Sequence, residues 1–379
     1  VLKEHGASYG SKAGWERPNF FIPKGEKLEE ILTFRRPNWF ERVGEEHKAV
    51  RQRVGLIDQS SFSKFSISGP GALKALQRLA VSDMDKAPGK IIYTQFLNER
   101  AGIEADLTIT RSGEDDFYLV TGSAFGVHDR CWIEGHIPSD GSVVIEDLTE
   151  INGVINLCGP QARNVLEKVT DDDVSNAALP FATYKNIKIA GHSVRAQRIG
   201  YVGELGWELH MPKDNMLAVY QALHGAGQAY DIANIGYRAI DTLRMEKGYL
   251  YWSTDITPDY NPYEAGLGFR VNMNKGDFIG RDALQRIKEQ GVSRKLQFFT
   301  IERDAAIYGS EPIMRNGKVL EVTTSANFGH SIGKPIVFGY LPLAECAHND
   351  FEIEAFGEVF PATRHDGPLY DPKMERLKA

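Results

Sequence analysis

The chain is poor in cysteine. Cys131, Cys158 and Cys346 are its only three among 379 residues, widely spaced and without a C-x-x-C pair. That excludes a cysteine-based zinc site and a disulfide framework, and it fits a reducing compartment. Long hydrophobic runs are also missing. The longest apolar stretch, around Ile336 to Ala344, is broken by Gly339 and Pro342 and falls far short of the ~20 residues a membrane helix needs. Positive charge is in deficit, with 44 Lys and Arg against 51 Asp and Glu and a net charge of −7. Such a surface on balance repels phosphate backbones, so no nucleic-acid partner is expected. Neither H-E-x-x-H, G-x-S-x-G nor G-x-x-x-x-G-K-[ST] occurs, and the ten histidines are scattered singly, which sets metal and P-loop chemistry aside. Gly69-Pro70-Gly71 lacks the third glycine and the acidic residue of a dinucleotide fingerprint. The opening VLKEHGASYG has neither a secretory nor a transit pattern and starts on Val1, so it reads as a cut or processed chain. The expected location is the cytoplasm, with the mitochondrial matrix as the alternative.

What is present is an ordinary globular mixture, 42% hydrophobic and 25% charged, long enough for two or three domains. Residues 1–40 mix glycine, proline and aromatics without helical or strand period and read as a connector packed on something larger. A repeat follows. FSISGPGALKALQRL (65–79) matches INLCGPQARNVLEKV (155–169), with Gly69-Pro70 on Gly159-Pro160 ninety positions later. Each copy reads as strand, Gly-Pro turn and amphipathic helix, so the region 41–290 is expected to hold two related α/β lobes, unless the pattern is only a common corner. Between the copies IIYTQFL, IEADLTIT and FYLVTG alternate like antiparallel strands. Helices are expected over about 41–54, 215–226 and 235–248. From residue 295 to 379 strands dominate, with Asn316-Gly317 as a hairpin turn, and the segment reads as a small β-barrel or sandwich.

In IEADLTIT, Ile103, Ala105, Leu107 and Ile109 share one face and Glu104, Asp106, Thr108 and Thr110 the other. Aspartate is disfavoured in strands, so Asp106 is either part of a solvated face or a carboxylate held rigidly for a nitrogen-bearing ligand. In GYVGELGWEL, Tyr201 and Trp207 could flank a flat ring while Glu208 presents a carboxylate to an amidine-like edge; an aromatic-rich core hairpin is the alternative. Arg238 and Arg244 could hold a carboxylate or pair with Asp241 or Glu246.

Taken together, YTQFLNERAGIEADLTIT, GYVGELGWEL, DTLRMEKGYLYWSTDITPDYNPYEAGLGF and GPLYDPKMERLKA resemble the tetrahydrofolate-binding part of the dimethylglycine and sarcosine dehydrogenases and oxidases, which is related to the aminomethyltransferase, or T-protein, of glycine cleavage. The resemblance covers nearly the whole chain, and GWERPNFF is similar to the junction after the flavin domain of those fused enzymes. It implies an α+β, three-lobed cloverleaf with a C-terminal β-barrel. It also implies tetrahydrofolate as cofactor and no flavin in this chain, a methylated amine as substrate, and a flavin-containing dehydrogenase domain or subunit as the prospective partner. The implied reaction moves a one-carbon unit from a dimethylglycine- or sarcosine-type amine or iminium and forms 5,10-methylenetetrahydrofolate. A redox-neutral demethylase yielding 5-methyltetrahydrofolate and a non-catalytic folate-binding module stand as alternatives. Residue by residue, Asp106 matches the family's essential aspartate, Tyr201 an aromatic on the pterin and Glu208 the acid at the pterin amino edge, with Tyr93 as a wall of the same pocket. Ile240 stands where the T-protein has an arginine, so Arg238 is the substitute considered for that contact.

Overall fold

Two glycine–proline corners organise the fold. Gly69 and Gly159 each end a strand at φ of +109° and +122°, a conformation that side chains with a Cβ rarely adopt. After each corner the first helical hydrogen bond is the same, from Ala72 N–H to the Gly69 carbonyl (2.9 Å) and from Ala162 N–H to the Gly159 carbonyl (3.0 Å). The duplication seen in the sequence is therefore repeated in backbone geometry.

The computed structural model describes residues 1–303 and 306–379. A hairpin, β1 (Ala7–Lys12) and β2 (Trp15–Phe21), precedes helix α1 (Phe40–Gln52) and the short strand β3 (Gly55–Asp58). The first repeat follows: β4 (Ser63–Ser68), α2 (Ala72–Leu79), a meander of β5 (Ile91–Leu97), β6 (Ile103–Arg111) and β7 (Asp116–Thr121), then α3 (Gly126–Glu134) and β8 (Val144–Asp147). The second is β9 (Asn152–Cys158), α4 (Ala162–Leu166), a meander of β10 (Tyr184–Ile189), β11 (His192–Gln197) and β12 (Gly206–Pro212), then α5 (Met216–Gly227) and β13 (Ala233–Asn234). Helices α6 (Tyr237–Glu246) and α7 (Arg281–Gln290) lead to β14 (Arg294–Ile301), β15 (Pro312–Arg315), β16 (Lys318–Gly329), β17 (Lys334–Pro342), β18 (Asp350–Ala355) and β19 (Glu358–His365). These last six close a barrel in the order β14-β17-β16-β15-β18-β19. The architecture is thus the expected α+β arrangement with a C-terminal barrel.

The two sheets run β5-β6-β7-β4-β8 and β10-β11-β12-β9-β3-β13. Each is a meander flanked by its repeat's own first strand, and next to that strand lies the one that leads the chain into the other repeat's first strand. β3, which precedes β4 in the chain, pairs with β9; β8, which precedes β9, pairs with β4. The crossings are chemically alike. Asp58 accepts from Ser60 N–H (2.9 Å) and Asp147 from Thr149 N–H (2.8 Å), each closing an aspartate turn. Ser60 Oγ then accepts from Val154 N–H (3.1 Å), and Thr149 Oγ1 from Lys64 N–H (3.0 Å). The backbones reciprocate, Gln59 N–H to the Val154 carbonyl (2.9 Å) and Leu148 N–H to the Lys64 carbonyl (2.8 Å).

One face of each sheet is apolar. Phe65, Ile67, Leu107, Ile109 and Leu119 pack on Leu76 and Leu79 of α2. Ile155, Leu157, Trp207 and Leu209 pack on Val165 and Leu166 of α4 and Val219 and Leu223 of α5. Each such side chain stabilises the fold by roughly 1.5–3 kcal/mol through burial. The opposite faces are polar and are turned toward one another, as cross-sheet hydrogen bonds show below. Residues 1–40 differ from the expectation of no regular structure. Ala13 (φ +51°) and Gly14 (φ +83°) form a tight turn that joins two strands too short and too mixed in composition to show alternation. Phe20 is fully buried and Phe21 N–H is held by Glu46 Oε1 (2.6 Å). No helix among the described residues is long and apolar enough to cross a membrane.

A Cβ at position 159 would lie 2.6 Å from the Arg53 carbonyl oxygen, and one at 69 would lie 2.5 Å from that of Ser142, whereas one at Gly89, also at positive φ (+97°), would meet nothing within 4 Å. Gly159→Ala and Gly69→Ala are each expected to lower unfolding free energy by about 2 kcal/mol or more, and Gly89→Ala by only about 1 kcal/mol. Urea melts of the three variants test this; equal losses would mean that the corners are not tightly fitted.

Candidate functional site between the two sheets

Strand alternation places Tyr93 and Gln95 of β5, Asp106, Thr108 and Thr110 of β6 and Tyr118 of β7 on the polar face of the first sheet. The same rule places Asn156 of β9, Arg195 and Gln197 of β11 and Glu208 and His210 of β12 on the polar face of the second. The two faces meet: Thr110 Oγ1 donates to Gln197 Oε1 (2.5 Å), the Tyr118 hydroxyl lies 3.1 Å from His210 Nδ1, and Arg195 Nη1 donates to Ser112 Oγ (2.8 Å).

Asp106 stands at one part of this seam. Its Oδ1 accepts from Gln95 Nε2 (2.7 Å), its cross-strand partner, and the Tyr93 hydroxyl also bonds its carboxylate. Burial pushes its pKa up to about 6, against the lowering effect of these two hydrogen bonds; Asp129 adds to the rise and Arg270 opposes it. Burial likewise raises Tyr93 and Tyr201, and each feels the charge of Asp106. Asp106, Tyr93 and Tyr201 therefore form one cluster. The Tyr201 hydroxyl donates to the Leu250 carbonyl (2.5 Å), and its ring stacks on Tyr249 at 5.7 Å. Arg270 lies 5.1 Å over the Tyr93 ring.

Glu208 sits on β12, its Oε2 3.6 Å from His210 Nε2. Burial depresses the His210 pKa and favours the neutral imidazole. In register, Glu208 lies between Gln197 of β11 and Asn156 of β9. Both neighbours are buried, and among the described residues Gln197 Nε2 and Asn156 Oδ1 have no hydrogen-bond partner; nor has Gln95 Oε1 beside Asp106. Buried polar atoms left unpaired are costly. A donor and an acceptor on either side of a carboxylate match the mixed donor–acceptor edge of a 2-amino-4-oxopyrimidine ring, so the residues present fit a pterin.

Two expectations need correction. Trp207 cannot flank a ligand, because alternation turns it to the other face of β12, where it is fully buried in the apolar cluster. Arg238 pairs with neither Asp241 nor Glu246; its guanidinium is bound by Glu30 of the N-terminal segment and lies 3.7 Å over the Trp39 ring, leaving Nη1 buried without a partner among the described residues. Arg244 does pair with Asp241 (2.8 Å), and also with Asp255 (2.8 Å). Gln95, Asn156, Gln197 and Arg270 were not singled out in the sequence. Gln95 carried a signal, an amide inside the strand that pairs with the one bearing Asp106; Arg270 lies in irregular chain with no period to read.

Comparison with known proteins agrees with this fold. Residues 1–275 match the family described as the GCVT N-terminal domain, and residues 294–371 the glycine cleavage T-protein C-terminal barrel domain. The chain is similar to mitochondrial dimethylglycine dehydrogenase of Homo sapiens, 39% identical over 99% of this chain and 44% of that one. It is also similar to mitochondrial sarcosine dehydrogenase of Homo sapiens, 35% identical over 100% and 46%. It thus spans less than half the length of these relatives. It is 34% identical to an aminomethyltransferase of Halothermothrix orenii over 86% of this chain and 90% of that one. Its structure superposes on the glycine cleavage system aminomethyltransferase T of Bartonella henselae with a TM-score of 0.83 at 27% identity, covering 98% of this chain and 96% of that one.

Asp106 predicts a stability signature. Its folded pKa is raised from 3.8 to about 6, so above pH 6 the carboxylate is ionised in both states but at a cost in the fold, and below 3.8 that cost vanishes. Asp106→Asn is expected to stabilise the protein by about 1–3 kcal/mol at pH 7.5, with the gain fading toward pH 4. Thermal melts across pH test the sign; a destabilised variant at pH 7.5 would contradict it.

Proposed function

Because the chain belongs to the glycine cleavage T-protein family, we propose that it is a tetrahydrofolate-dependent one-carbon transferase acting on a dimethylglycine- or sarcosine-type amine or its iminium. The observation that carries this reading is the Asp106 carboxylate, fixed on a rigid strand by Gln95 and Tyr93 and tuned by burial to about 6. When bound, tetrahydrofolate supplies the nitrogen nucleophile that accepts the one-carbon unit, and 5,10-methylenetetrahydrofolate is the product proposed. Glu208, flanked by Gln197 and Asn156, holds the pterin amino edge. Tyr201 packs on the ring, and Tyr93 walls the pocket. The Asp106 carboxylate orients the reacting nitrogen and takes up the proton released there; a pKa near the working pH suits both uptake and return of that proton. Arg238 Nη1, buried and unpaired, is a further contact for a ligand oxygen. Oxidation of the amine falls to a flavin-containing dehydrogenase domain or subunit, a reading supported by the greater length of the dehydrogenase relatives.

Calorimetric titration with tetrahydrofolate tests the site first. Saturable binding is expected, weakened ~10-fold or more by Glu208→Ala, about 1.4 kcal/mol; no binding by folded wild-type protein would overturn the reading. In single-turnover transfer from an enzymatically generated iminium, Asp106→Asn is expected to abolish product formation while leaving the fold intact. Wild-type transfer should rise with pH through about 6, as Asp106 ionises. The oxidation level of the folate product separates methylene transfer from redox-neutral methyl transfer.

A further inference from the structure

Tyr118, whose hydroxyl meets His210, also lines a cavity of about 270 Å3 together with Ser68, Ser112, Asp116, Asn152 and Arg195. None of Tyr93, Asp106, Tyr201 and Glu208 lines it. The chemistry proposed above leaves this cavity without a role.

Arg195 is its unusual member. The guanidinium carbon lies 4.5 Å from the ring centroids of both Tyr118 and Tyr184, so the planar cation is stacked between two aromatic faces. Among the described residues its one side-chain hydrogen bond is to Ser112 Oγ (2.8 Å), and no carboxylate lies within 4.0 Å of it. Desolvation depresses its pKa, and the groups opposing that are the two tyrosines alone. A largely buried cation without a counter-ion, held rigid and bordering a cavity, favours an anionic ligand. Ser68 and Asn152 add neutral hydrogen-bonding groups, while Asp116 contributes an exposed carboxylate to the same lining. The cavity therefore offers one fixed positive group and one negative group. Its volume suffices, since a cavity of roughly 150 Å3 accommodates benzene.

We propose that this cavity is a binding site for a small amino-acid zwitterion, of glycine, sarcosine or dimethylglycine size, with the carboxylate on Arg195 and the ammonium toward Asp116. The site is separate from the folate site and is tested without folate, so that failure of one reading leaves the other intact. Wild-type protein is titrated calorimetrically with sarcosine and dimethylglycine, with acetate as a carboxylate that lacks the ammonium. Saturable binding of the amino acids at roughly millimolar or tighter affinity is expected, with acetate weaker. Arg195→Gln should weaken the amino acids ~10-fold or more. Asp116→Asn should weaken them and leave acetate unchanged. Absence of binding by wild type, unchanged amino-acid affinity in Arg195→Gln, or equal affinity for acetate and the amino acids would each overturn the proposal. If Arg195→Gln does not fold, as circular dichroism would show, Asp116→Asn decides: it is exposed, and unchanged amino-acid affinity in that variant overturns the proposal as well.

Discussion

The reciprocal clasp at the strand crossings is the constraint on which the rest of the molecule depends. Asp58 with Ser60 and Asp147 with Thr149 build the same small turn twice, and each turn's hydroxyl and backbone satisfy the first residues of the neighbouring repeat's strand. These bonds are individually worth about 1 kcal/mol. Their effect is mainly geometric, because they fix how the two sheets approach and so which polar side chains face each other. A seam lined by amides, hydroxyls and carboxylates is costly to bury unless it is satisfied. Thr110 with Gln197 and Tyr118 with His210 satisfy part of it, and the unpaired atoms of Gln95, Asn156 and Gln197 mark where it is not.

Local surroundings also explain why one carboxylate is pushed up and another held down. Asp106 is enclosed by Tyr93 and Tyr201 and sees Arg270 as its nearby positive group, so burial dominates. Glu246 is held low, to about 2, by His47 and Arg51 in spite of its burial. A carboxylate is thus held ionised where cations crowd it and pushed toward its neutral form where burial beside aromatic rings prevails.

Much of this was legible in the sequence. Alternation in IEADLTIT separated Asp106 from the core residues correctly, and the Gly-Pro match located both corners. The barrel announced itself through Asn316-Gly317, which the structure closes with φ of +53° and +70° between β15 and β16. What could not be read depends on contacts distant in sequence. Trp207 was misplaced because a hairpin's aromatic residues look alike until strand parity is fixed by pairing with β9. Arg238 was paired wrongly because its true partner, Glu30, lies 208 positions away. The exchange of β3 and β8 left no trace in a local pattern, since a strand's own residues do not say whose sheet it joins.

That exchange also sets an order of events during synthesis. The first sheet can be completed once β8 has emerged, because all its strands lie within one uninterrupted stretch of chain. β3, made earlier than any of them, must wait for β9, roughly a hundred residues downstream, while its apolar Leu56 and Ile57 remain uncovered. The nascent protein therefore carries an unpaired sticky strand ahead of the first lobe throughout that lobe's translation, a hazard for aggregation that ends only when the second lobe arrives to cover it.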